Sequence, residues 1–323
     1  MAGEEPRNHA VGFTRFGGPE VLTVVARPMP TAGPGEVVVR VAAATVNPTD
    51  TLLRAGRLAA GMKGTPPPYT PGMEFAGHVH EVGHSVEELA VGQPVMGVTD
   101  PSGPTGGAQA TYVRVPAASL AAVPEGTELS EAATIPMNGL TALMVVEELA
   151  AAGGGTVLVT GGPGAVGGYT IPLAKRAGLT VFTDGRPEDQ AFLRDLGADE
   201  IVPRGEQLTP AVRALRPHGV DALVDTAQVG DAARALVRDG GTVVGLRSSG
   251  AAPEARLRYR LVMVGTRLTD AQSLVSLAAY VREGVLHPRV ALRLPMSQAA
   301  EAHRLVEKGG MRGRVVLTFD LAD

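Results

Sequence analysis

The sequence predicts an α/β protein in which a doubly wound parallel sheet accompanies a second, mostly β domain. Three observations carry that prediction. Short apolar runs alternate with helical segments from residue 156 to 245, the rhythm of a parallel sheet with helices on both faces. A glycine-rich turn, Gly162-Pro163-Gly164-Ala165-Val166-Gly167, sits between the first apolar run and the first helix of that series. The texture also changes near residue 130: upstream, β-favouring runs alternate with Gly/Pro turns, and downstream helices take over.

The elements follow in order. Residues 1–9 read as a loose tail. β-favouring runs lie at 21–25 and 37–41, punctuated by Gly17-Gly18-Pro19 and Gly33-Pro34-Gly35. Residues 61–71 form a Pro-rich loop, and 75–124 alternate short strands with turns. Ser130 is a candidate N-cap for a helical stretch to about residue 151. Strands are then expected at 156–160, 180–183, within 200–203, at 222–225 and at 242–245. The intervening helices are expected at 165–177, 188–196, 211–215 and 232–237. An apolar strand at 261–266, a helix at 270–283, a strand at 290–294, a helix at 297–308 and a strand at 313–319 complete the chain.

Composition removes several function classes. The chain has 323 residues, 44% hydrophobic and 19% charged, a globular balance with length for about two domains. No run approaches the roughly 18 apolar residues of a membrane helix. The polar, acidic start resembles neither a signal nor a transit peptide, so a cytoplasmic location is expected. A net charge of −4 without a basic block argues against nucleic acid as a partner. The absence of cysteine excludes disulfides, thiol nucleophiles, iron–sulfur clusters and Cys-containing zinc sites. Lysine is confined to Lys63, Lys175 and Lys308, and compositional bias rather than function explains the arginine excess.

The glycine turn is the strongest chemical signal. Gly162 allows the tight turn, Gly164 lets a pyrophosphate approach the backbone, and Gly167 lets helix and strand pack closely. The helix start at Ala165 and Val166 offers unpaired N–H groups to the anion. Asp184 ends the second strand about 20 residues on, where a carboxylate accepts from the ribose 2′-hydroxyl of NAD. Arg186 and Arg204 point instead to the 2′-phosphate of NADP.

Further blocks make a family visible. They are Val46-Asn47-Pro48-Thr49-Asp50-Thr51, Tyr69-Thr70-Pro71-Gly72-Met73-Glu74-Phe75-Ala76-Gly77 and Gly139-Leu140-Thr141-Ala142. Leu196-Gly197-Ala198-Asp199-Glu200, Ala299-Ala300-Glu301-Ala302-His303 and Arg312-Gly313-Arg314-Val315-Val316-Leu317 follow. Over about residues 10–320 the chain resembles the zinc-independent quinone oxidoreductase (zeta-crystallin-like) branch of the medium-chain dehydrogenase/reductase superfamily. That resemblance implies a Rossmann doubly wound parallel sheet, 129–268, inserted into a GroES-like mostly-β catalytic domain, 10–128 and 269–323. It also implies that Asn47, Asp50 and Thr141 line the nicotinamide and substrate cleft. Asp50 reads equally as a structural, backbone-binding carboxylate. Gly245, Leu246 and Arg247 join the expected cofactor-contacting set.

Zinc-containing relatives carry Cys where this chain has Asn47 and His where it has Met73, so no zinc is expected. Many quinone reductases of this type have Tyr at the position of Leu52, and relatives often read Gly-Tyr/Phe-Ala-Glu-Tyr where this chain reads Ala108-Gln109-Ala110-Thr111-Tyr112. His78, His80 and His84 form a metal-like spacing, but the reading preferred here is exposed strand histidines.

The expected activity is NAD(P)H-dependent hydride transfer to a quinone or α,β-unsaturated carbonyl, with NADPH favoured over NADH and Asp184 turned outward. An enoyl reductase of a secondary-metabolite pathway and a dinucleotide-binding protein without redox turnover are the alternatives. A homodimer through the apolar edge at 261–266 is also expected.

Overall fold

The computed structural model describes residues 7–62, 64–246 and 254–319. The chain forms two compact units. One comprises Met1–Met137, Arg267–Gly284 and Pro288–Asp323; the other comprises Asn138–Thr266 and Val285–His287. The second is thus inserted into the first. The boundary falls after the short helix Leu129–Ala132, which packs on strands Glu36–Val46 and Glu74–Val82 and buries Ala132 completely. The expected single helix is split there, because Pro136 starts a new one, Pro136–Ala151, and pushes its predecessor out of helical geometry.

The first unit is organised by the strand Glu36–Val46. It pairs antiparallel with Glu74–Val82, Tyr112–Pro116 and the C-terminal strand Arg314–Thr318. Segments on either side of the second unit therefore meet in one sheet, with Val46 opposite Val315. Val37, Val39, Val41, Phe75, Val113 and Leu317 fill the core beneath it. Helix Ala299–Lys308 closes that core with Ala302 and His303.

Among the described residues the second unit holds six parallel strands: β1 (Thr156–Thr160), β2 (Thr180–Gly185), β3 (Glu200–Pro203), β4 (Val220–Asp225), β5 (Val237–Gly245) and β6 (Arg258–Leu261). Their spatial order is β3-β2-β1-β4-β5-β6. The order reverses between β1 and β4, and ligands of open α/β sheets bind beyond the carboxyl ends of the strands at that reversal. Every residue of β1 is buried, as a strand covered on both faces requires. Val157 and Val159 join one core, and Leu158 joins the other.

Two expectations at the far edge are corrected. The helix over 232–237 shortens to Asp231–Arg234, because Val237 already pairs with Val220. The edge strand is Arg258–Leu261, and Val264–Arg267 forms a short 3-10 helix. Val262 leaves the edge to bury its side chain in the core. Among the described residues, no helix is long and apolar enough to cross a membrane.

Candidate functional site

The glycine turn follows β1 directly. Gly161 has φ +70°, a left-handed conformation that favours glycine. The Gly164 N–H donates to the Gly161 carbonyl at 2.8 Å and closes the turn, and Gly164 caps the helix Ala165–Arg176. The three motif glycines have different reasons to be glycine. A Cβ at Gly162 would lie 2.1 Å from Thr183 Oγ1, and one at Gly167 would lie 2.4 Å from the Gly161 carbonyl oxygen. A Cβ at Gly164 would meet only the Gly161 oxygen, at 3.0 Å. Gly162 and Gly167 are packing requirements, whereas Gly164 leaves the outer face of the turn bare. The Gly168 N–H makes the first helical bond, to Gly164, so the amides of Ala165, Val166 and Gly167 precede any helical acceptor. A bare glycine beside a helix N-terminus fits the pyrophosphate of a dinucleotide.

Neighbouring strand ends brace the turn. Thr160 Oγ1 donates to Asp225 at 2.6 Å, and Asp225 also accepts the amides of Val229 and Gly230. Asp225 thereby fixes the crevice where the strand order reverses. Asp184 corrects a sequence expectation. It does not turn outward: it is 2% exposed and accepts from the Gly161 N–H at 2.5 Å and from Arg204 Nε at 2.9 Å. The physical reason is burial, since a carboxylate taken out of water needs donors and takes the two nearest. Arg186 is exposed, 3.7 Å from Glu188.

The first unit carries a buried polar cluster around Asn47. Asn47 ends the strand Glu36–Val46 and precedes helix Pro48–Arg54, whose Pro48 occupies the first turn. Asp50 accepts the Asn47 N–H at 2.7 Å and the Gly72 N–H at 3.0 Å. Both of its oxygens therefore hold backbone, the structural task foreseen as its alternative. Burial pushes its pKa up to about 7, against the lowering pull of those two amides and of Arg314. Asn47 Nδ2 donates to Thr45 Oγ1 at 3.0 Å and Glu74 Oε1 at 3.2 Å, and Asn47 Oδ1 accepts from Arg314 at 2.5 Å. Glu74 also accepts from Thr45 Oγ1 at 2.6 Å and the Met137 N–H at 2.8 Å. Asn47 is consequently saturated from within its own unit.

Glu74, Arg314, Thr45 and Asp225 were given no role by sequence reasoning. The available signal was a charged residue opening a strand just before an apolar stretch, Phe75-Ala76 after Glu74 and Val315-Val316-Leu317 after Arg314. Thr141 is buried on helix Pro136–Ala151. Gly245 closes β5 and Leu246 packs on the core, while Arg247 lies outside the described residues.

Comparison with known proteins now adds to this geometry. Residues 33–125 match the alcohol dehydrogenase GroES-like domain family, and residues 196–317 match the zinc-binding dehydrogenase family. A probable quinone oxidoreductase of Schizosaccharomyces pombe is 30% identical over 336 residues, covering 98% of this chain and 99% of that protein. An NADPH-dependent alkenal/one oxidoreductase of Arabidopsis thaliana is 27% identical over 314 residues, covering 94% and 78%. The solved quinone oxidoreductase of Coxiella burnetii superposes with a TM-score of 0.84 at 28% identity, covering 97% of this chain and 99% of that one.

This chain belongs to the quinone oxidoreductase branch of the medium-chain dehydrogenase/reductase superfamily.

One matched family of this superfamily is described as zinc-binding. The residues here do not fit that metal. The Cys and His ligand positions hold Asn47 and Met73. The Asn47 oxygen is taken by the Arg314 guanidinium, a fixed positive charge that opposes a dication at the same place. In this oxidoreductase the cluster around Asn47 is a closed hydrogen-bond network rather than a ligand set.

Proposed function

We propose that this protein is a zinc-independent, NADPH-dependent reductase of quinones or α,β-unsaturated carbonyls. The observation that carries the reading is the bare Gly164 face at the head of helix Ala165–Arg176, in a chain of the quinone oxidoreductase branch. When bound, the reduced nicotinamide supplies a hydride, and the acceptor takes up one proton with it. Ala165 and Val166 hold the pyrophosphate with backbone amides, and Gly164, whose own N–H is bonded to Gly161, leaves room for its approach. Arg204 and Arg186 receive the 2′-phosphate, since the carboxylate that a 2′-hydroxyl needs is already committed at Asp184.

The acceptor class follows from the donor set. Arg314 and Asn47 bond each other where a Lewis acid would have to sit, so the acceptor must be electron-poor on its own. Quinones and enones meet that condition. The names of the Schizosaccharomyces and Arabidopsis relatives point to the same two classes. The test is consumption of NADPH and NADH by exhaustively chelated protein with a panel of quinones and enones. Turnover with NADPH in preference to NADH supports the reading. Activity that disappears with a one-to-one zinc content refutes it.

The protein is further proposed to be a homodimer joined at β6. Among the described residues this strand pairs only with β5; its last residue, Leu261, is 51% exposed and Met263, just beyond it, 58%. An edge with unpaired backbone and two exposed apolar side chains at its end needs covering, and a two-fold copy of itself offers the N–H and C=O groups it lacks.

A further inference from the structure

Three strand ends meet around one buried carboxylate. Asp184 lies in β2, Gly161 follows β1, and Arg204 follows β3. Asp184 uses one oxygen for the Gly161 N–H and the other for Arg204 Nε. Gly161 is the first residue after β1 and has φ +70°, so the direction of its amide sets the turn that follows. Arg204 differs from its partner: its side chain is 36% exposed, and among the described residues its two terminal nitrogens make no hydrogen bond. The guanidinium is thus tied at Nε while its terminal fork stays free. A free, oriented fork matches the oxygens of a phosphate, and less side-chain freedom is then lost on binding.

We propose that Asp184 is a positioning residue that clamps Arg204 to the glycine turn and thereby builds the 2′-phosphate subsite, an inference that rests on the dinucleotide reading of residues 161–167. The sign of its effect is distinctive. A carboxylate near a dianionic phosphate should by charge alone weaken binding, and its neutralisation should strengthen it. A clamp does the opposite: its loss frees Arg204 and weakens binding.

Calorimetric titration with 2′,5′-ADP and 5′-AMP reads the subsite without catalysis. Asp184→Asn retains an oxygen for the Gly161 N–H but presents an N–H2 group to Arg204. Its affinity for 2′,5′-ADP should fall about tenfold or more, with 5′-AMP moving no more than about threefold. Arg204→Lys keeps the charge and lacks the Nε bridge, so its loss should match that of Arg204→Ala. Unchanged or tighter 2′,5′-ADP binding by Asp184→Asn overturns the clamp, as does wild-type affinity in Arg204→Lys. If Asp184→Asn does not fold, the comparison of the two Arg204 variants decides alone. A wild-type protein that binds 5′-AMP at least as tightly as 2′,5′-ADP also defeats the clamp, while the dinucleotide reading stands. Binding of neither nucleotide defeats both.

Discussion

Asp50 and His303, both buried in the first unit, should hide each other's pH dependence. Burial raises the Asp50 pKa from 3.8 to about 7. His303 moves the other way, from 6.5 to about 3, through burial first and the neighbouring Arg54 charge second. Neither His303 ring nitrogen has a hydrogen-bond partner, so the ring sits neutral in the core. Between pH 4 and 6.5 or so, the folded state holds a proton at Asp50 that the unfolded chain releases. Stability from this group therefore falls as pH rises, by about 1.4 kcal/mol per unit. Over the same window the unfolded chain protonates His303 and the fold does not, so stability from that group rises with pH by the same amount. The two nearly cancel. Asp50→Asn should unmask the histidine: its stability relative to wild type should climb by about 3 kcal/mol across the window. His303→Leu, a change of similar size at a site without polar partners, should fall relative to wild type by about as much. Urea unfolding at roughly half-unit pH steps measures both differences. Constant offsets from wild type at every pH would refute the assignment of these buried charge states.

The glycine turn and the β6 edge give two further tests. Gly164→Val should weaken NADPH binding at least about 100-fold, or about 3 kcal/mol. Its stability should fall by no more than about 1–2 kcal/mol, because φ −75° suits any residue and a Cβ there would meet only the Gly161 carbonyl oxygen, at 3.0 Å. Gly167→Ala should instead destabilise the fold itself, since its Cβ would press on the Gly161 carbonyl; equal thermal stability of the two variants would contradict the division of roles. Leu261→Asp places a charge at the proposed two-fold edge and should give monomers by sedimentation at micromolar concentration. A wild-type protein that is already monomeric there removes the dimer.

Local patterns made much of this molecule legible. The parallel sheet shows in the sequence because its central strands carry short buried apolar runs, Val157-Leu158-Val159 and Ala222-Leu223-Val224, and the glycine turn shows because its constraints act within a few residues. The helix Pro48–Arg54 is not among the expected elements, although Asn47, Pro48 and Asp50 form a cap that acts within four residues. What else stayed hidden is non-local. Arg314 meets Asn47 only because the last strand returns to pair with Glu36–Val46. Asp184 stands where spacing placed it, but spacing carries no information on which donors would claim its oxygens. The β6 edge was misread because Arg258-Tyr259-Arg260-Leu261 is polar in pattern, as exposed edges often are, whereas the apolar Val262 beside it serves the core.

The central claim is hydride transfer from NADPH to an electron-poor carbon. NADPH carrying deuterium at both C4 positions of the nicotinamide, incubated with the protein and a simple enone, tests it directly by mass spectrometry of the reduced product. The account predicts one deuterium at the former β-carbon of the enone. NADPH oxidation that leaves the product unlabelled, or no product from any enone or quinone offered, would contradict it.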